Sequence, residues 1–223
     1  MAPYHIRPYQ DQDWEAVRQL FSEGMHGNLP SDFRALLKKP RALLVLLGAP
    51  LALLWGSGSP LLALLAFAAV LAAQWLTLRH FVGQYVRSCL RADLLDIRKA
   101  YLRGRGCGFW VAEAERRVVG TVGVRLAREP VGAGSYLELF RLSVKSALRG
   151  RGVARALVQT VLRFARDQGF DGVVLETSSA NRPARRLYES AGFRKSRETR
   201  YFLAWWFGFF TTCHFQCDFS SPS

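Results

Sequence analysis

The uncharged segment from Ala42 to Leu78 constrains this 223-residue chain more than any other feature. It contains no Asp, Glu, Lys, Arg or His, and it is rich in Leu and Ala. A cluster of Gly, Ser and Pro at 56–60 divides it, which predicts two helical arms at 42–55 and 61–78. The second arm is about 27 Å long as a helix, enough to span a bilayer core. We predict a membrane hairpin; the alternative is a buried helical hairpin in a soluble protein.

The residues that flank this segment predict its topology. It begins too late for a cleaved signal peptide, because a strand and helix pattern precedes it. Lys38, Lys39 and Arg41 stand before it and Arg79 directly after it. Because basic flanks stay in the cytoplasm, the chain should cross the bilayer an even number of times or enter and leave by one face.

Three parts of one domain follow from this topology. Residues 1–41 supply the first strand and helix, 42–78 form the hairpin insertion, and 79–223 supply the remainder with an aromatic C-terminal tail.

The charge of the chain is +14, and nearly all of it follows the apolar segment. Such a balance suits nucleic acid, anionic lipid or a phosphorylated cofactor. The basic residues are dispersed without an interleaved aromatic stripe, which disfavours nucleic acid. Among the four cysteines, Cys213 and Cys217 stand near His214 but lack a fourth ligand, so we expect no metal centre.

The hydrophobic period changes along the chain from helical to strand-like. A strand at 5–9 precedes a helix through Trp14 and Phe21, for which Asp11 or Asp13 is the candidate cap. The later pattern predicts a helix at 86–101, strands at 107–114, 118–126, 136–144 and 173–177, helices at 153–168 and 183–191, and a strand followed by an interfacial segment at 201–215. Antiparallel strands followed by a β-α-β-α unit predict a mixed α+β fold.

A glycine-containing turn is the strongest chemical signal. The predicted strand 136–144 leads to Arg149-Gly150-Arg151-Gly152-Val153-Ala154 and then to an amphipathic helix. A helix that starts after such a turn presents free backbone N–H groups at the positive end of its dipole, which favours phosphate binding. Tight turning and capping alone are the other interpretation of the same residues.

A second motif lies about thirty residues further on. It reads Asn181-Arg182-Pro183-Ala184-Arg185-Arg186-Leu187-Tyr188-Glu189-Ser190-Ala191-Gly192-Phe193. With the glycine turn and the strand between them, it resembles the acetyl-CoA core, residues 136–193, of the GNAT acetyltransferase superfamily. The opening seven residues, the hairpin after the first helix and Phe140-Arg141-Leu142-Ser143-Val144 resemble its camello, or cysteine-S-conjugate, branch.

The resemblance implies a central mixed sheet flanked by helices, with the hairpin inserted. It also implies an enzyme of the endoplasmic reticulum membrane that transfers acetyl from acetyl-CoA to a primary amine by direct attack, with no metal. The favoured acceptor is the α-amino group of a cysteine S-conjugate or related amino acid. Protein lysine in the secretory pathway and an inactive interaction protein remain alternatives. The catalytic domain and both termini are expected in the cytosol, where acetyl-CoA is also expected.

The same resemblance implies roles for single residues. The residues expected to bind the cofactor are Leu142, Val144, Arg149, Gly150, Arg151, Gly152, Val153, Ala154 and Asn181. Leu142 and Val144 would act through backbone groups where the strand splays open. For Asn181, helix capping is the competing explanation.

Three further side chains are candidates for chemistry. Tyr188 matches the position of the acid that protonates the departing thiolate, and the tyrosine reference pKa of about 10 suits this. Packing beneath the helix is its alternative role. Glu138 is the candidate base, unless it is a solvated surface residue, and Arg141 the candidate for binding a substrate carboxylate. Strand alternation places 138 and 141 on opposite faces unless a bulge intervenes.

Overall fold

A computed structural model of the chain describes residues 4–127, 134–199 and 211–219. One mixed sheet of seven strands, in the order β1-β2-β3-β4-β5-β7-β6, organises these residues. Only β4 and β5 pair in parallel among the described strands, and the other neighbours are antiparallel. The strands are β1 (Tyr4–Pro8), β2 (Gly108–Ala114), β3 (Arg117–Leu126), β4 (Tyr136–Val144), β5 (Gly172–Ser178), β6 (Arg194–Thr199) and β7 (Thr212–Asp218).

Seven α-helices are present in the described residues. They are α1 (Trp14–Gly27), α2 (Leu29–Leu37), α3 (Pro40–Ser57), α4 (Pro60–Arg91), α5 (Ile97–Tyr101), α6 (Val153–Asp167) and α7 (Arg182–Ser190). The mixed α+β class predicted from the sequence is confirmed.

The two faces of the sheet carry separate apolar clusters. On one face, α6 packs through Leu157 and Val161 against Val122, Leu137 and Val173 of the strands. On the other face, α1, α5 and the end of α4 pack against β2. Strand alternation sends Leu137 and Leu139 to the α6 face and Phe140 to the α1 face.

The long apolar segment folds into two antiparallel helices. Gly58, at φ 64°, ends α3, and Pro60 starts α4, as the turn signal predicts. The second helix does not end near Leu78 with the uncharged run but continues to Arg91. Its last turns belong to the folded domain, because Val86 and Cys89 are buried in the cluster on the α1 face. A rigid helix therefore joins the apolar segment to the sheet.

The prediction that an aspartate side chain caps α1 is wrong. Asp13 stands at the N-cap, but its side chain makes no capping hydrogen bond to the helix. Arg7 of β1 holds this buried carboxylate instead, at 2.7 Å from Nη1 to Oδ2, and the Gln10 amide donates to it at 2.9 Å. Burial would raise the pKa of Asp13, but these hydrogen bonds outweigh it and lower the pKa.

Other boundaries differ from the sequence pattern. The helix predicted over 86–101 is broken after Arg91, and α5 starts afresh at Ile97, where Asp96 accepts a capping hydrogen bond from Lys99. Strand β6 was not predicted. The aromatic stretch 201–215 lies partly outside the described residues, and its described end belongs to β7.

Candidate active site

A β-bulge in β4 is the centre of the candidate site. Gly123 of β3 pairs with Phe140 and Thr121 pairs with Ser143, so one residue of β3 faces two of β4. Arg141 sits in this bulge with φ 54°, a left-handed conformation that few non-glycine residues adopt. Its carbonyl accepts a hydrogen bond of 2.9 Å from the buried Thr121 hydroxyl. The irregularity is therefore a fixed part of the sheet.

The bulge determines whether Glu138 and Arg141 lie on the same face of the sheet. Glu138 and Phe140 alternate with Leu137 and Leu139, so Glu138 faces the α1 side of the sheet. The extra residue turns Arg141 to the same side, where its guanidinium lies 5.1 Å from the ring of Phe21 in α1. Glu138 and Arg141 thus share one face.

A gap opens between β4 and β5 beside the bulge. The parallel pairing of these strands ends at Leu139 and Leu175. Beyond that point β5 remains paired only with β7, and β4 only with β3. The backbone groups that the end of β4 directs toward β5, around Leu142 and Val144, therefore have no strand partner among the described residues. An extended polar ligand arm can replace the missing strand here.

The glycine turn lies at the mouth of this gap. Gly150 and Gly152 adopt φ 76° and φ 83°, and Gly152 is the N-cap of α6. The first intrahelical hydrogen bond comes from the Ala156 amide to the Gly152 carbonyl, so the preceding amides, including those of Val153 and Ala154, lack intrahelical acceptors. No side chain caps this terminus.

Space around the turn is open to a ligand. A Cβ added at Gly150 would meet no atom within 4 Å, and one at Gly152 would meet only the Tyr4 hydroxyl at 4.0 Å. The buried Val153 side chain anchors the first turn of the helix in the core. The turn thus has the free donors and the room that a phosphate group requires.

The two arginines of the turn differ in their contacts. Arg149 donates from Nε to the Val144 carbonyl and from Nη1 to Asn28 Oδ1, each at 3.3 Å. It therefore links the turn to the end of β4 and to the α1–α2 junction. Arg151 is exposed on the turn, where its charge adds to the positive end of the helix dipole.

Asn181 has a capping role in the structure. Its Oδ1 accepts a hydrogen bond of 3.2 Å from the Ala184 amide at the start of α7. This contact uses the carbonyl oxygen of the side chain only. The amide nitrogen keeps its donors for a ligand, so capping and cofactor contact are compatible.

Tyr188 lies beneath α7 on the α6 face of the sheet. It is only 6% exposed, and its ring packs 5.9 Å from that of Phe193 and 6.1 Å from that of Phe215. Burial raises the pKa of its hydroxyl. The group therefore stays protonated at neutral pH, as a proton donor must.

Glu138 stands on the opposite face and is half-buried. Arg125 of β3 is directly across from it in the register, and the Arg125 guanidinium lies 4.1 Å from the ring centre of Phe140. The candidate acid and base thus lie on the two sides of the sheet, with the gap between β4 and β5 between them.

Arg141 is engaged by a partner that the sequence pattern did not reveal. Its Nε and Nη2 donate to the two carboxylate oxygens of Asp93 at 2.8 Å and 2.7 Å. Nη1 points to the Cys89 thiol at 3.0 Å and the Tyr85 hydroxyl at 3.3 Å. A substrate carboxylate would have to displace Asp93 to receive the same two-pronged contact. Direct substrate binding by Arg141 remains a prediction that this geometry does not favour.

Asp93 and Tyr101 complete this cluster, which we call the Arg141 cluster: Arg141, Asp93, Tyr101, Tyr85 and Cys89. The Tyr101 hydroxyl donates a short hydrogen bond to Asp93. Burial would raise the pKa of Asp93, but the bonds from Arg141 and Tyr101 outweigh it and hold the pKa below its usual value. No local motif marks Asp93, since it follows α4 in an irregular turn.

Cys213 and Cys217 near the C-terminus lie on the opposite face of β7 from His214. Alternation along β7 buries Cys213 and Cys217 on the core side and turns His214 the other way. His214 contacts Glu176 at 3.1 Å and Thr199 at 2.8 Å. Within the described ranges, no group of three His, Cys, Asp or Glu side chains is arranged to hold a metal ion.

Comparisons with known proteins show the family of this chain. The model of the Acetyltransferase (GNAT) family matches residues 72–193. N-acetyltransferase 8 of Rattus norvegicus is 46% identical over 215 residues, which cover 96% of this chain and 97% of that protein. N-acetyltransferase 8B of Homo sapiens is 49% identical over 205 residues, with coverages of 92% and 90%.

The fold is shared more widely. A crystal structure of a GNAT-family acetyltransferase from Staphylococcus aureus superposes with a TM-score of 0.58 at 17% identity, covering 98% of this chain and 100% of that one. The predicted GNAT fold and the resemblance to the camello branch are confirmed. The chain belongs to the GNAT family of acetyltransferases, which use acetyl-CoA as the acetyl donor.

Proposed function

We propose that this protein is a membrane-anchored N-acetyltransferase that acetylates the α-amino group of an amino acid with an apolar side chain, such as a cysteine S-conjugate. The observation that carries the proposal is the position of the bulge. The bulge lies beside the gap between β4 and β5, where we place acetyl-CoA. It faces α4, the helix that continues the apolar segment.

The exposed surface of the apolar helices supports membrane anchoring. Both α3 and α4 are long and apolar enough to cross a membrane. Leu44 is 74% exposed and Trp55 95% exposed, whereas a hairpin in a soluble core would bury such side chains. A continuous apolar surface of this kind is stable in lipid and costly in water. Basic flanks at both ends favour a cytosolic catalytic domain. The resemblance to the camello branch supports placement on the endoplasmic reticulum membrane.

In the proposed reaction the amine attacks the thioester directly, and the candidate base and acid act from opposite faces of the sheet. With acetyl-CoA in the gap, the amine approaches from the α1 face and Glu138 accepts its proton, directly or through water. The new C–N bond forms as the C–S bond breaks, and Tyr188 gives its proton to the departing thiolate from the α6 face. The chain's own part is to position the thioester through free backbone groups of β4 and the turn at 149–154.

Charge and apolar surroundings support a small anionic acceptor. The net charge of +14 attracts a carboxylate and repels lysine-rich segments of other proteins. Phe140 is partly buried on the α1 face near the bulge, and Tyr85 of α4 is half exposed there. An apolar S-substituent finds matching surface along this side.

A CoA-release assay on the full chain in detergent tests the acceptor. The panel contains S-benzyl-cysteine, cysteine, aspartate and a lysine peptide, and the benzyl conjugate should give the highest kcat/KM. The S-benzyl-cysteine methyl ester is the matched control, since it keeps the amine and loses the carboxylate. Higher kcat/KM with the lysine peptide would reject the proposal in favour of a protein lysine acetyltransferase.

A further inference from the structure

A basic pocket lies where α1 meets α4. It has a volume of about 350 Å³ and is lined by Arg79, His80, Gly83 and Arg87 of α4, with Leu76 below and His26 of α1 opposite. Arg79, Gly83 and Arg87 are four residues apart and share one face of the helix. We call this pocket the Arg79 pocket.

The floor of the Arg79 pocket is a glycine. A Cβ added at Gly83 would lie 3.6 Å from Arg87 Nη1, so the guanidinium of Arg87 rests over the bare backbone. On the opposite wall, Nδ1 of His26 lies 2.8 Å from the Ser22 carbonyl, which leaves Nε2 for another partner.

No carboxylate among the described residues neutralises the arginines of the pocket. Neither Arg79 nor Arg87 forms an ion pair with a carboxylate in the part of the chain that the structure describes. The two arginines stand eight residues apart along the helix and flank a space for a single anion. Arginine is well suited to phosphate because its guanidinium offers several donors in one plane.

The position of the Arg79 pocket along α4 indicates which kind of molecule would supply that anion. Arg79 directly follows Leu78, the last residue of the uncharged segment. If α4 crosses the bilayer as proposed above, Arg79 and His80 lie at the level of the lipid headgroups, and Arg87 lies about 12 Å higher along the helix. Basic pockets at this depth are suited to lipid phosphate.

We infer that the Arg79 pocket binds the phosphate-bearing headgroup of an anionic phospholipid. This inference rests on the proposed membrane anchoring of α3 and α4. It adds a specific lipid contact at the point where the membrane helix enters the catalytic domain.

Native mass spectrometry of the full chain in detergent tests the inference, with phosphatidylserine and phosphatidylcholine as probes. The wild type should retain phosphatidylserine preferentially. The double variant Arg79→Gln with Arg87→Gln should bind it roughly thirtyfold more weakly, about fivefold for each arginine. Arg116→Gln with Arg117→Gln is the matched control, because it removes two exposed arginines, one from the β2–β3 turn and one from the start of β3, and should keep the preference.

Three results would overturn the headgroup site. The first is equal retention of both lipids by the wild type, and the second is an equal loss of phosphatidylserine binding in both double variants. The third is displacement of phosphatidylserine by inorganic phosphate at similar concentration, because this would indicate that the pocket binds a soluble anion. Alkaline extraction of cell membranes is measured separately. Release of the wild-type protein would reject membrane anchoring, whereas a retained protein without lipid preference rejects only the pocket.

Discussion

Arg141 shows how one residue in an uncommon backbone conformation can shape a sheet. A non-glycine residue at φ 54° costs about 1 to 3 kcal/mol, so the surrounding structure must hold it in place. Asp93 does this from one side through two hydrogen bonds, and Thr121 from the other through the Arg141 carbonyl. We therefore assign Asp93 a positioning role for the bulge.

Asp93→Asn should destabilise the protein strongly. It leaves the buried Arg141 guanidinium without a counter-charge, which costs about 3 kcal/mol and lowers the Tm by roughly 6 to 12 °C. Asp11→Asn is the control, because the Asp11–Arg98 pair is 64% exposed at both side chains and should cost under about 1 kcal/mol. Equal Tm values for the two variants would contradict the role of Asp93.

The loss of stability caused by Asp93→Asn should become smaller as the pH falls. Its carboxylate has a pKa below the usual value of about 3.9, so its contribution to stability is complete above that pH. The contribution is lost as the pH falls through the lower folded pKa. Thermal melts should therefore show the wild type and Asp93→Asn converging below about pH 4. A constant Tm difference down to the lowest pH would exclude this linkage.

Tyr188 carries the second residue-scale prediction. Tyr188→Phe removes a hydroxyl of raised pKa and keeps the ring that packs on Phe193 and Phe215. If this hydroxyl protonates the thiolate, kcat should fall by roughly tenfold to a thousandfold, while acetyl-CoA affinity changes little. Tyr136→Phe removes a hydroxyl bonded to Asp218 instead and should leave kcat unchanged. An unchanged kcat in Tyr188→Phe, with chemistry rate-limiting, would assign Tyr188 to packing alone.

At the scale of elements, we propose the β4–turn–α6 unit as the site that binds acetyl-CoA. Strand β4 supplies backbone groups that have no partner on β5, of which the Val144 carbonyl accepts from Arg149, and the turn supplies the free amides of the helix start. Both features arise where regular backbone hydrogen bonding ends. The parallel pairing of β4 with β5 ends at Leu139, and α6 begins without a side-chain cap. We expect bound acetyl-CoA to satisfy the groups that these two endings leave free.

Gly152→Asp should abolish this function with little damage to the fold. The new carboxylate stands where we place the pyrophosphate, so acetyl-CoA affinity should fall by roughly a hundredfold or more in calorimetry. Gly169→Asp is the matched control, because Gly169 has φ 72°, has no atom near its Cβ position and lies beyond the other end of α6. It carries the same backbone penalty and should bind normally. Retained affinity in Gly152→Asp would reject the phosphate cradle.

At the scale of the whole molecule, the sheet restricts the topology. Strand β1 precedes the apolar helices and β2 follows them, yet β1 pairs along its whole length with residues 110–114 of β2. Residues on both sides of the hairpin must therefore share one compartment. Separating them would expose buried side chains such as Val17 and Phe21, each of which contributes about 1.5 to 3 kcal/mol.

This topology predicts the fate of tags at the two ends of the chain. After selective permeabilisation of the plasma membrane with digitonin, antibodies should reach epitopes at residue 1 and at residue 223. Glycosylation acceptors engineered at the same ends should stay unmodified. Protection of one end only would exclude the hairpin, and protection of both would place the catalytic domain in the lumen.

Local patterns in the sequence determined much of this protein. The apolar helices, the turn at 56–60, the helix starts at Gly152 and Asn181, and most strands depend on residues close together in the chain. Strand β6 escaped prediction because all but the last of its side chains are exposed and show no alternation. As an edge strand it is defined by backbone pairing with β7, which no side-chain pattern records.

Only the tertiary structure decided how the candidate site is assembled. The bulge brings Glu138 and Arg141 to one face, and Asp93 reaches Arg141 across 48 residues of sequence. The gap depends on where two strands stop pairing. These features arise from contacts between segments distant in sequence, whose side chains meet only when the sheet forms. Local periodicity therefore predicts the elements, whereas the register between them determines which side chains can act together.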